Sequence, residues 1–276
     1  MADFIQHGTA RNATVGINTG TGAAVGTATP SSASQYAKGS WSQLIAATPF
    51  DSGLMMVYLS RVDLGGAFLV DLAIGGAGSE QVIVSNLNTI TGGSGDNTCR
   101  YLLPIIVPAG VRLSARSSYT VAGSNSVNVS ATLFGRSLSQ PPAFSGVDLI
   151  SVDRVNVGQI PYHQLNGTIN VRSAWMQHTA ATTREYKAIA LAQAGYASAA
   201  GAPAYIVLDY AMGGAGAEQP FLTDIGLAVD NTSFGRMDVA GPLPIPIPAG
   251  VRISSRAMSN VSNANNYAIC GLYGFY

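Results

Sequence analysis

The chain repeats itself, and this repeat constrains its fold more than any other feature of the sequence. Four blocks occur twice in the same order. The first set is GSWSQLIAATPF, FLVDLAIGGAGSEQVIV, YLLPIIVPAGVRLSAR and VNVSATLFG, and the second is RSAWMQHTAATT, YIVLDYAMGGAGAEQPFL, GPLPIPIPAGVRISSR and YAICGLYG. The spacing between equivalent residues is constant inside a block and changes only between blocks, where loops tolerate insertions. Such self-similarity indicates two tandem copies of one structural unit.

The repeated blocks have the character of short β-strands. They are rich in β-branched and aromatic residues and are bounded by Gly, Pro, Asn or Ser, a pattern typical of strands. Within Val127–Phe134, apolar residues alternate with Asn, Ser and Thr, as in a strand with one buried face. Each copy spans roughly 100 residues, the size of one β-sandwich. We therefore predict an all-β chain of two tandem β-sandwich or jelly-roll-like domains with an extended N-terminal arm.

The four blocks of each copy set the predicted domain boundaries. The first domain is expected at 39–136 and the second at 169–276, joined by a linker at 137–168. Residues 1–38 contain little apolar material, so they are expected either to be disordered or to form an arm that orders against neighbouring subunits. The linker alternates at Val152, Val155 and Val157, which would let it add a strand to one domain.

Glycine and proline mark the connections within each copy. Pro108-Ala109-Gly110 predicts a turn between two strands, and GGAG before Glu80 predicts a glycine loop. In the second copy, alternate prolines from 242 to 248 remove backbone donors, so an edge strand or an extended segment is expected there. Residues 187–200 are rich in alanine, but their first-copy counterpart is strand-like. We therefore expect a strand that loops out around Gly195.

Composition argues against a charged partner. Charged residues make up 10% of the chain, and 14 basic residues balance 14 acidic ones, so no net field draws it to nucleic acid or to an anionic membrane. No apolar run is long enough to span a bilayer, and the amino terminus lacks the pattern of a signal peptide. We therefore expect assembly in a cytoplasm. Cys99 and Cys270 occupy non-equivalent positions, so no shared redox or metal role is indicated.

Motifs that carry catalytic chemistry are missing from the sequence. His7, His163 and His178 are not at metal-ligand spacing, and there is no CxxC, HExxH or GxSxG pattern. Asp71 with Glu80 is the only recurrent carboxylate pair that could serve a glycan hydrolase. We predict no catalytic, cofactor-binding or metal-binding residues and no enzymatic activity.

Eight residues recur at equivalent places and are the candidate site residues. They are Trp41, Trp175, Asp71, Asp209, Arg112, Arg116, Arg252 and Arg256. One interpretation is a ligand site for a glycan or a phosphate. The other is a set of structural contacts, in which the arginines pair with the Asp residues or with Glu80, because a buried carboxylate needs a partner. Retention in both copies favours structural or interface contacts, with the tryptophans as packing anchors.

The KGSW opening, the GGAGxEQ loop and the PAGVR motif resemble β-sandwich structural proteins of tailed-bacteriophage virions. The resemblance covers both copies but not the N-terminal arm. It implies a virion component without an active site, such as a head decoration, minor head or neck (collar) protein held by its arm. The alternative is a tail or fibre protein that binds a host receptor or glycan.

This resemblance also implies the partners of the chain. A trimer of a two-sandwich chain would present six similar domains, so the symmetry habits of oligomers favour a homo-oligomer such as a trimer. The resemblance implies that it contacts major capsid, portal, neck or tail proteins. No cofactor, nucleic acid or membrane is expected, and the protein would reside in the virion after assembly in the host cytoplasm.

Overall fold

A computed structural model describes residues 12–17, 26–60, 67–89, 99–135, 144–150, 162–165, 167–196, 205–230, 238–260 and 267–276. These residues form eighteen β-strands and no helix, so the predicted all-β class is confirmed. The strands are β1 (Asn12–Val15), β2 (Thr27–Pro30), β3 (Ser42–Ile45), β4 (Ser52–Ser60), β5 (Phe68–Ile74), β6 (Gln81–Asn88), β7 (Cys99–Leu103), β8 (Leu113–Tyr119), β9 (Ser126–Gly135), β10 (Val147–Leu149), β11 (Tyr162–Gln164), β12 (Met176–Thr179), β13 (Ala188–Tyr196), β14 (Tyr205–Met212), β15 (Gln219–Asp230), β16 (Asp238–Leu243), β17 (Ile253–Ser259) and β18 (Tyr267–Phe275).

The chain divides into two compact units. The first comprises Met1–Asp63, Val70–Leu87 and Thr98–Val147. The second comprises Leu64–Leu69, Asn88–Asn97 and Asp148–Tyr276. Two short segments of the first sequence copy therefore belong to the second compact unit.

The first unit is a sandwich of two sheets. One sheet has the order β1-β9-β4-β7, with β2 also paired to β9, and the other has the order β6-β5-β8-β3. In β4, Met55, Val57 and Leu59 are fully buried while the residues between them are half-exposed. This alternation arises because successive side chains of a strand point to opposite faces, so one face of β4 contributes to the core.

The N-terminal region differs from the predicted arm. Asn12–Val15 pairs with Phe134–Ala131 and Thr27–Pro30 pairs with Val129–Ser126, so both segments join the sheet of their own chain. The amide of Gly39 also donates to the carbonyl of Ser117. The separate-arm interpretation is therefore wrong for residues 12–17 and 26–38. Low apolar content did not exclude this pairing, because strands pair through backbone groups. A segment poor in apolar side chains can therefore still add to a sheet edge.

The second unit repeats the first. Its two sheets have the orders β12-β17-β14-β15 and β16-β13-β18, with β11 also paired to β18. Strand for strand, these match β3-β8-β5-β6 and β7-β4-β9 of the first unit. Both sheets contribute to one core, whose fully buried members include Leu208, Tyr210, Cys270 and Leu272. The sequence repeat is thus a repeat of topology, and the chain consists of two tandem β-sandwiches.

The strand and turn predictions of the second copy have separate outcomes. β13 is a strand, as predicted, but it does not loop out at Gly195. Gly195 instead pairs with Ala268 on one side and Val229 on the other. The proline-rich stretch is extended, and its strand β16 pairs with β13 away from the main path of the sheet, as an edge strand would.

The linker contributes strands at both ends. In β10, Val147 pairs in parallel with Val84 of the first unit. In β11, Tyr162–Gln164 pairs antiparallel with Ile269–Tyr267 of the second unit. Val152, Val155 and Val157, which predicted an added strand, lie outside the described residues.

The backbone conformation of Gly110, in the PAGVR turn, predicts the stability cost of replacing this glycine. Its φ is +75°, the left-handed region that favours glycine, and a Cβ there would meet nothing within 4 Å. The Gly110→Ala substitution should therefore lower the free energy of unfolding by about 1 kcal/mol through backbone strain alone. Urea unfolding measures this loss, and Gly250→Ala should match it, since Gly250 has the same φ and the same open space.

The matched control for this prediction is Gly214→Ala. Gly214 also has open space for a Cβ but does not have a left-handed φ, so its substitution should leave stability unchanged. Equal effects of Gly110→Ala and Gly214→Ala would contradict the assignment of the cost to backbone conformation.

Candidate functional site: a duplicated Asp–Arg–Trp cluster

Each unit contains one cluster of charged and aromatic side chains built around a buried aspartate. The first cluster is Lys38, Trp41, Asp71, Asn86 and Arg116. The second cluster consists of the equivalent residues Arg172, Trp175, Asp209, Asp224 and Arg256. Six of these ten positions, the two Asp, two Arg and two Trp residues, are candidates already predicted from the sequence. The other positions emerge from the structure.

In the first cluster, the Asp71 carboxylate is enclosed and fully partnered. It lies in β5 and is 3% exposed. Arg116 Nε donates to Asp71 Oδ2 at 2.9 Å, and Lys38 Nζ donates to Oδ1 at 2.8 Å. The backbone amide of Asn86 also donates to Oδ1, at 2.9 Å. A buried carboxylate is tolerated only with such partners.

The second cluster has the same plan and more charged contacts. Arg256 Nε donates to Asp209 Oδ2 at 2.8 Å. Arg172 Nε donates to Oδ2 at 2.6 Å, and its Nη2 reaches Oδ1 at 3.3 Å. The amide of Asp224 donates to Oδ1 at 2.9 Å, as Asn86 does in the first cluster. Arg172 therefore binds the aspartate with two nitrogens, a geometry that lysine cannot supply.

Two paired replacements distinguish the clusters. The second cluster has Arg172 where the first has Lys38, and Asp224 where the first has Asn86. The Asp224 carboxylate accepts a 2.5 Å contact from Arg172 Nη2. The first cluster thus holds two cations and one anion, while the second holds two of each. Burial lowers the pKa of Lys38 below its ordinary value, although the Asp71 carboxylate acts in the opposite direction. Hydrogen bonds from Arg172 to Asp209 raise the pKa of Arg172.

An arginine covers each tryptophan ring. Arg116 Cζ lies 4.5 Å from the ring centroid of Trp41, and Arg256 Cζ lies 4.5 Å from that of Trp175. Such cation–π contacts stabilise by roughly 0.5–2 kcal/mol. Each arginine is therefore held from two directions, by an aspartate and by an indole.

The remaining arginines tie the glycine loop to the PAGVR strand. Arg112 Nη1 donates to Glu80 Oε1 at 2.9 Å, while its Nε donates to Gln43 Oε1 at 3.1 Å. The other oxygen of Glu80 accepts from the Gly78 amide at 2.9 Å. In the second unit, Arg252 makes the equivalent contacts with Glu218 and Gln177, both at 2.9 Å. The Arg–Asp and Arg–Glu contacts expected from the sequence are thus present in both copies.

Several members of these networks were not predicted from the sequence. Lys38 and Arg172, Gln43 and Gln177, and Thr48 and Thr182 each have the same spacing as Trp41 and Trp175. That constant spacing is the signal that could have revealed them. Lys38 was not predicted because it lies at the end of the residues assigned to the arm. Its counterpart in the second copy, Arg172, is also a different residue type.

A pH dependence follows from the second cluster. Burial of the Asp209 carboxyl acts to raise its pKa, but hydrogen bonds from Arg172, the Asp224 amide and Arg256 outweigh burial and lower it. The resulting stabilisation is complete above the unfolded pKa of roughly 3.9 and is lost as the pH falls through the lower folded value. The free energy of unfolding, measured from neutral to strongly acid pH, should therefore decline below about pH 4.

Asp209→Asn is the matched control for the pH series. This variant cannot titrate at position 209, so its profile should be flatter than that of the unmodified protein over the same acid range. Parallel profiles would show that the acid sensitivity comes from other carboxylates.

The second unit also brings together two histidines that the sequence does not connect. His163 and His178 are buried, and both contact the Ser255 hydroxyl, His178 through Nε2 at 2.6 Å and His163 through Nδ1 at 3.4 Å. A hydroxyl against an imidazole resembles an activated nucleophile. Ser255 is fully buried, however, so a substrate cannot reach it. Among the described residues, no group of three or more His, Cys, Asp or Glu could hold a metal ion.

Comparisons with known proteins show distant structural likeness only. No family model matches the chain, and no curated protein matches it. The tandem CBM22-1–CBM22-2 domains of Xyn10C from Paenibacillus barcinonensis are 8% identical, with 96% of this chain and 91% of that chain covered and a TM-score of 0.27. PNGF-II is 9% identical with 85% and 59% covered and a TM-score of 0.35. The infectious bursal disease virus Gx strain structure is 10% identical with 83% and 58% covered and a TM-score of 0.25.

The chain thus spans less than two thirds of the chain length of the last two structures. In the part of the chain that the structure describes, no helix could cross a membrane.

Proposed function

We propose that the chain is a non-enzymatic structural protein of a tailed-phage virion. The observation that carries the proposal is that both copies retain the same charged residues and that these residues contact one another. Asp71 and Asp209 are each held by two cations and one backbone amide. Groups committed to each other in this way stabilise a scaffold, whereas a catalytic group must be able to reach a substrate.

Within a virion, we propose a head decoration, minor head or neck component. A chain with 10% charged residues and no net charge is weakly protected against association, which suits a protein covered by partners. Attachment by residues 12–17 and 26–38 is not proposed, because these residues pair within their own unit. The contacts to major capsid, portal, neck or tail proteins would then come from the surfaces of the two sandwiches.

Analysis of purified particles tests this proposal. Virions produced from the genome that encodes the chain should contain it at a fixed stoichiometry by quantitative mass spectrometry, after density-gradient purification. Electron microscopy should place two tandem β-sandwiches per copy at the head or neck. Recovery of the chain only in the particle-free fraction of the lysate would overturn a virion role.

The alternative is a tail or fibre protein that binds a receptor or glycan. Glycan-binding sites commonly use aromatic rings, but Trp41 and Trp175 are each covered on one side by an arginine. Tyr58 likewise has Arg100 above its ring, at 5.6 Å. The structure therefore favours the scaffold role over the receptor-binding role. Binding of the isolated protein to a glycan array or adsorption to host cells would reverse this preference.

A further inference from the structure

The core of the second unit contains polar side chains at two places where the first unit has apolar ones. By the sequence repeat, His178 and Ser255 occupy the positions of Leu44 and Ala115. All four residues are buried. The first unit therefore builds the same sandwich with a leucine and an alanine, so the scaffold itself does not require the histidine or the serine.

His178 and Ser255 belong to a hydrogen-bonded series that we call the histidine network. Its four side chains are Ser173, His163, Ser255 and His178. The backbone amide of Ala257 donates to Ser173 Oγ at 3.0 Å, and Ser173 Oγ lies 2.5 Å from His163 Nε2. Ser255 Oγ lies 3.4 Å from His163 Nδ1 and 2.6 Å from His178 Nε2. Donation in this order, from the amide to His178, satisfies each of these atoms while both imidazoles are neutral.

Protons added to the two imidazoles disturb this order. A proton on His178 Nε2 would point at the Ser255 hydroxyl, which must then turn its own proton away. If His163 is charged as well, two positive rings share one hydroxyl, because both rings contact the same oxygen. Like charges this close together in a core repel each other strongly. The folded second unit therefore takes up at most one proton at the histidine network.

The titratable neighbours that the strand register places beside the histidine network are a tyrosine and a cysteine. Tyr210 is paired directly with Ser255, so the two share a face. Burial raises the pKa of Tyr210 well above its ordinary value, so its hydroxyl stays neutral. His163 is paired with Ala268, which puts Cys270 on the same face of β18. Thiols are also neutral below pH 7, so neither neighbour changes its charge in acid.

The charged residues next to the network in the sequence lie on the other face of their strands. Asp209 precedes Tyr210 and Arg256 follows Ser255, and successive residues of a strand point to opposite faces. Arg172 joins them there through its two bonds to Asp209. These residues belong to the second cluster, which holds two cations and two anions. Its charges cancel, so it adds no net field that would favour or oppose a proton on the histidines.

We propose that the histidine network makes the second sandwich an acid-responsive element, which loses stability between pH 7 and pH 5 while the first sandwich does not. In the unfolded chain, both histidines take up a proton near pH 6.5. The folded second unit takes up at most one, so the unfolded state binds more protons as the pH falls and stability declines. The first unit has no histidine among its described residues. This inference goes beyond the proposed function and does not depend on it.

Urea unfolding at pH 7 and at pH 5 tests the proposal, followed by the fluorescence of Trp175 in a Trp41→Phe background. The unfolding equilibrium constant of the second unit should rise at least about tenfold between the two pH values, the effect of one proton over one pH unit. In a Trp175→Phe background, Trp41 reports the first unit. The constant of that unit should change less than about threefold, because it has no such proton difference.

Replacement of both histidines supplies the decisive variant. In His163→Gln/His178→Leu, which places the residue type of Leu44 at position 178, the change between pH 7 and pH 5 should fall below about threefold. His7→Gln is the matched control, because it removes the remaining histidine of the chain, at a position outside the described residues. This control should retain the full change.

Proton NMR gives a second measurement, which leaves the histidine network intact. In the His7→Gln protein, only the imidazoles of His163 and His178 contribute signals. At most one of them should reach the chemical shift of an imidazolium before the signals of the unfolded chain appear.

Four results would overturn the proposal. The first is titration of both imidazoles near pH 6.5 in the folded protein. The second is a change below about threefold for the second unit of the unmodified network, and the third is an equal loss of stability in the first unit. The fourth is a tenfold change that persists after both histidines are replaced.

Discussion

Replacing Asp209 with asparagine is expected to lower the free energy of unfolding of the second unit by about 3 kcal/mol, the cost of removing one partner from a buried ion pair. Asparagine keeps the shape of the side chain, so the loss reports the charge. Arg172 and Arg256 would lose the carboxylate that binds both of them, at a site where Asp209 is 1% exposed. The partial exposure of the two arginines places the effect at the lower end of the range for buried pairs.

Two comparisons sharpen this measurement. Asp224→Asn removes a carboxylate that also contacts Arg172 but is 67% exposed on its side chain, so its cost should stay below about 1 kcal/mol. Asp71→Asn tests the equivalent position of the first unit. A cost for Asp209→Asn no greater than that for Asp224→Asn would contradict the central role given to Asp209.

The two tryptophans allow each unit to be followed separately. The chain contains 2 tryptophans, and each one stacks against the arginine of a different cluster. In a Trp41→Phe background, indole fluorescence during urea unfolding therefore reports the second cluster alone. The free energy is then assigned to one unit without assuming that both unfold together.

The repeat made much of the scaffold predictable. Blocks that recur in order revealed the two sandwiches, and Asp71 with Arg116 was predictable because a charged residue in an otherwise apolar strand requires a partner. Such inferences succeed where a local pattern has one physical explanation. The same reasoning predicted the PAGVR turn, since Gly110 supplies a backbone conformation that other residues avoid.

The remaining features depend on contacts between distant parts of the chain. β1 and β2 are four residues each and pair with β9 residues that lie 96 to 122 positions further along the chain, through backbone groups that leave no sequence signature. His163 and His178 are likewise brought together by distant parts of the chain, because both contact the Ser255 hydroxyl. The inclusion of Asn88 in the second unit reflects packing, which composition and periodicity do not encode.

Thr182 was missed in the sequence although it controls the PAGVR turn of the second unit. Its hydroxyl donates to the Pro248 carbonyl at 2.6 Å and accepts from the Val251 amide at 3.1 Å. Its own backbone bonds Val251 and Gly250, at 2.8 and 2.9 Å. Thr48 makes the equivalent hydroxyl contacts in the first unit. Each unit therefore uses one buried threonine to hold its own PAGVR turn.

Thr182→Val is therefore expected to lower the free energy of unfolding by about 2–3 kcal/mol. Valine preserves the shape of the side chain but leaves the Val251 amide and the Pro248 carbonyl without the hydroxyl that satisfies them. Urea unfolding measures the loss, and Thr48→Val should reproduce it in the first unit. In Thr179→Val the hydroxyl lost donates to the Ala181 carbonyl at an exposed site, so its cost should remain below about 1 kcal/mol. If Thr182→Val costs no more than Thr179→Val, the hydroxyl does not hold the turn.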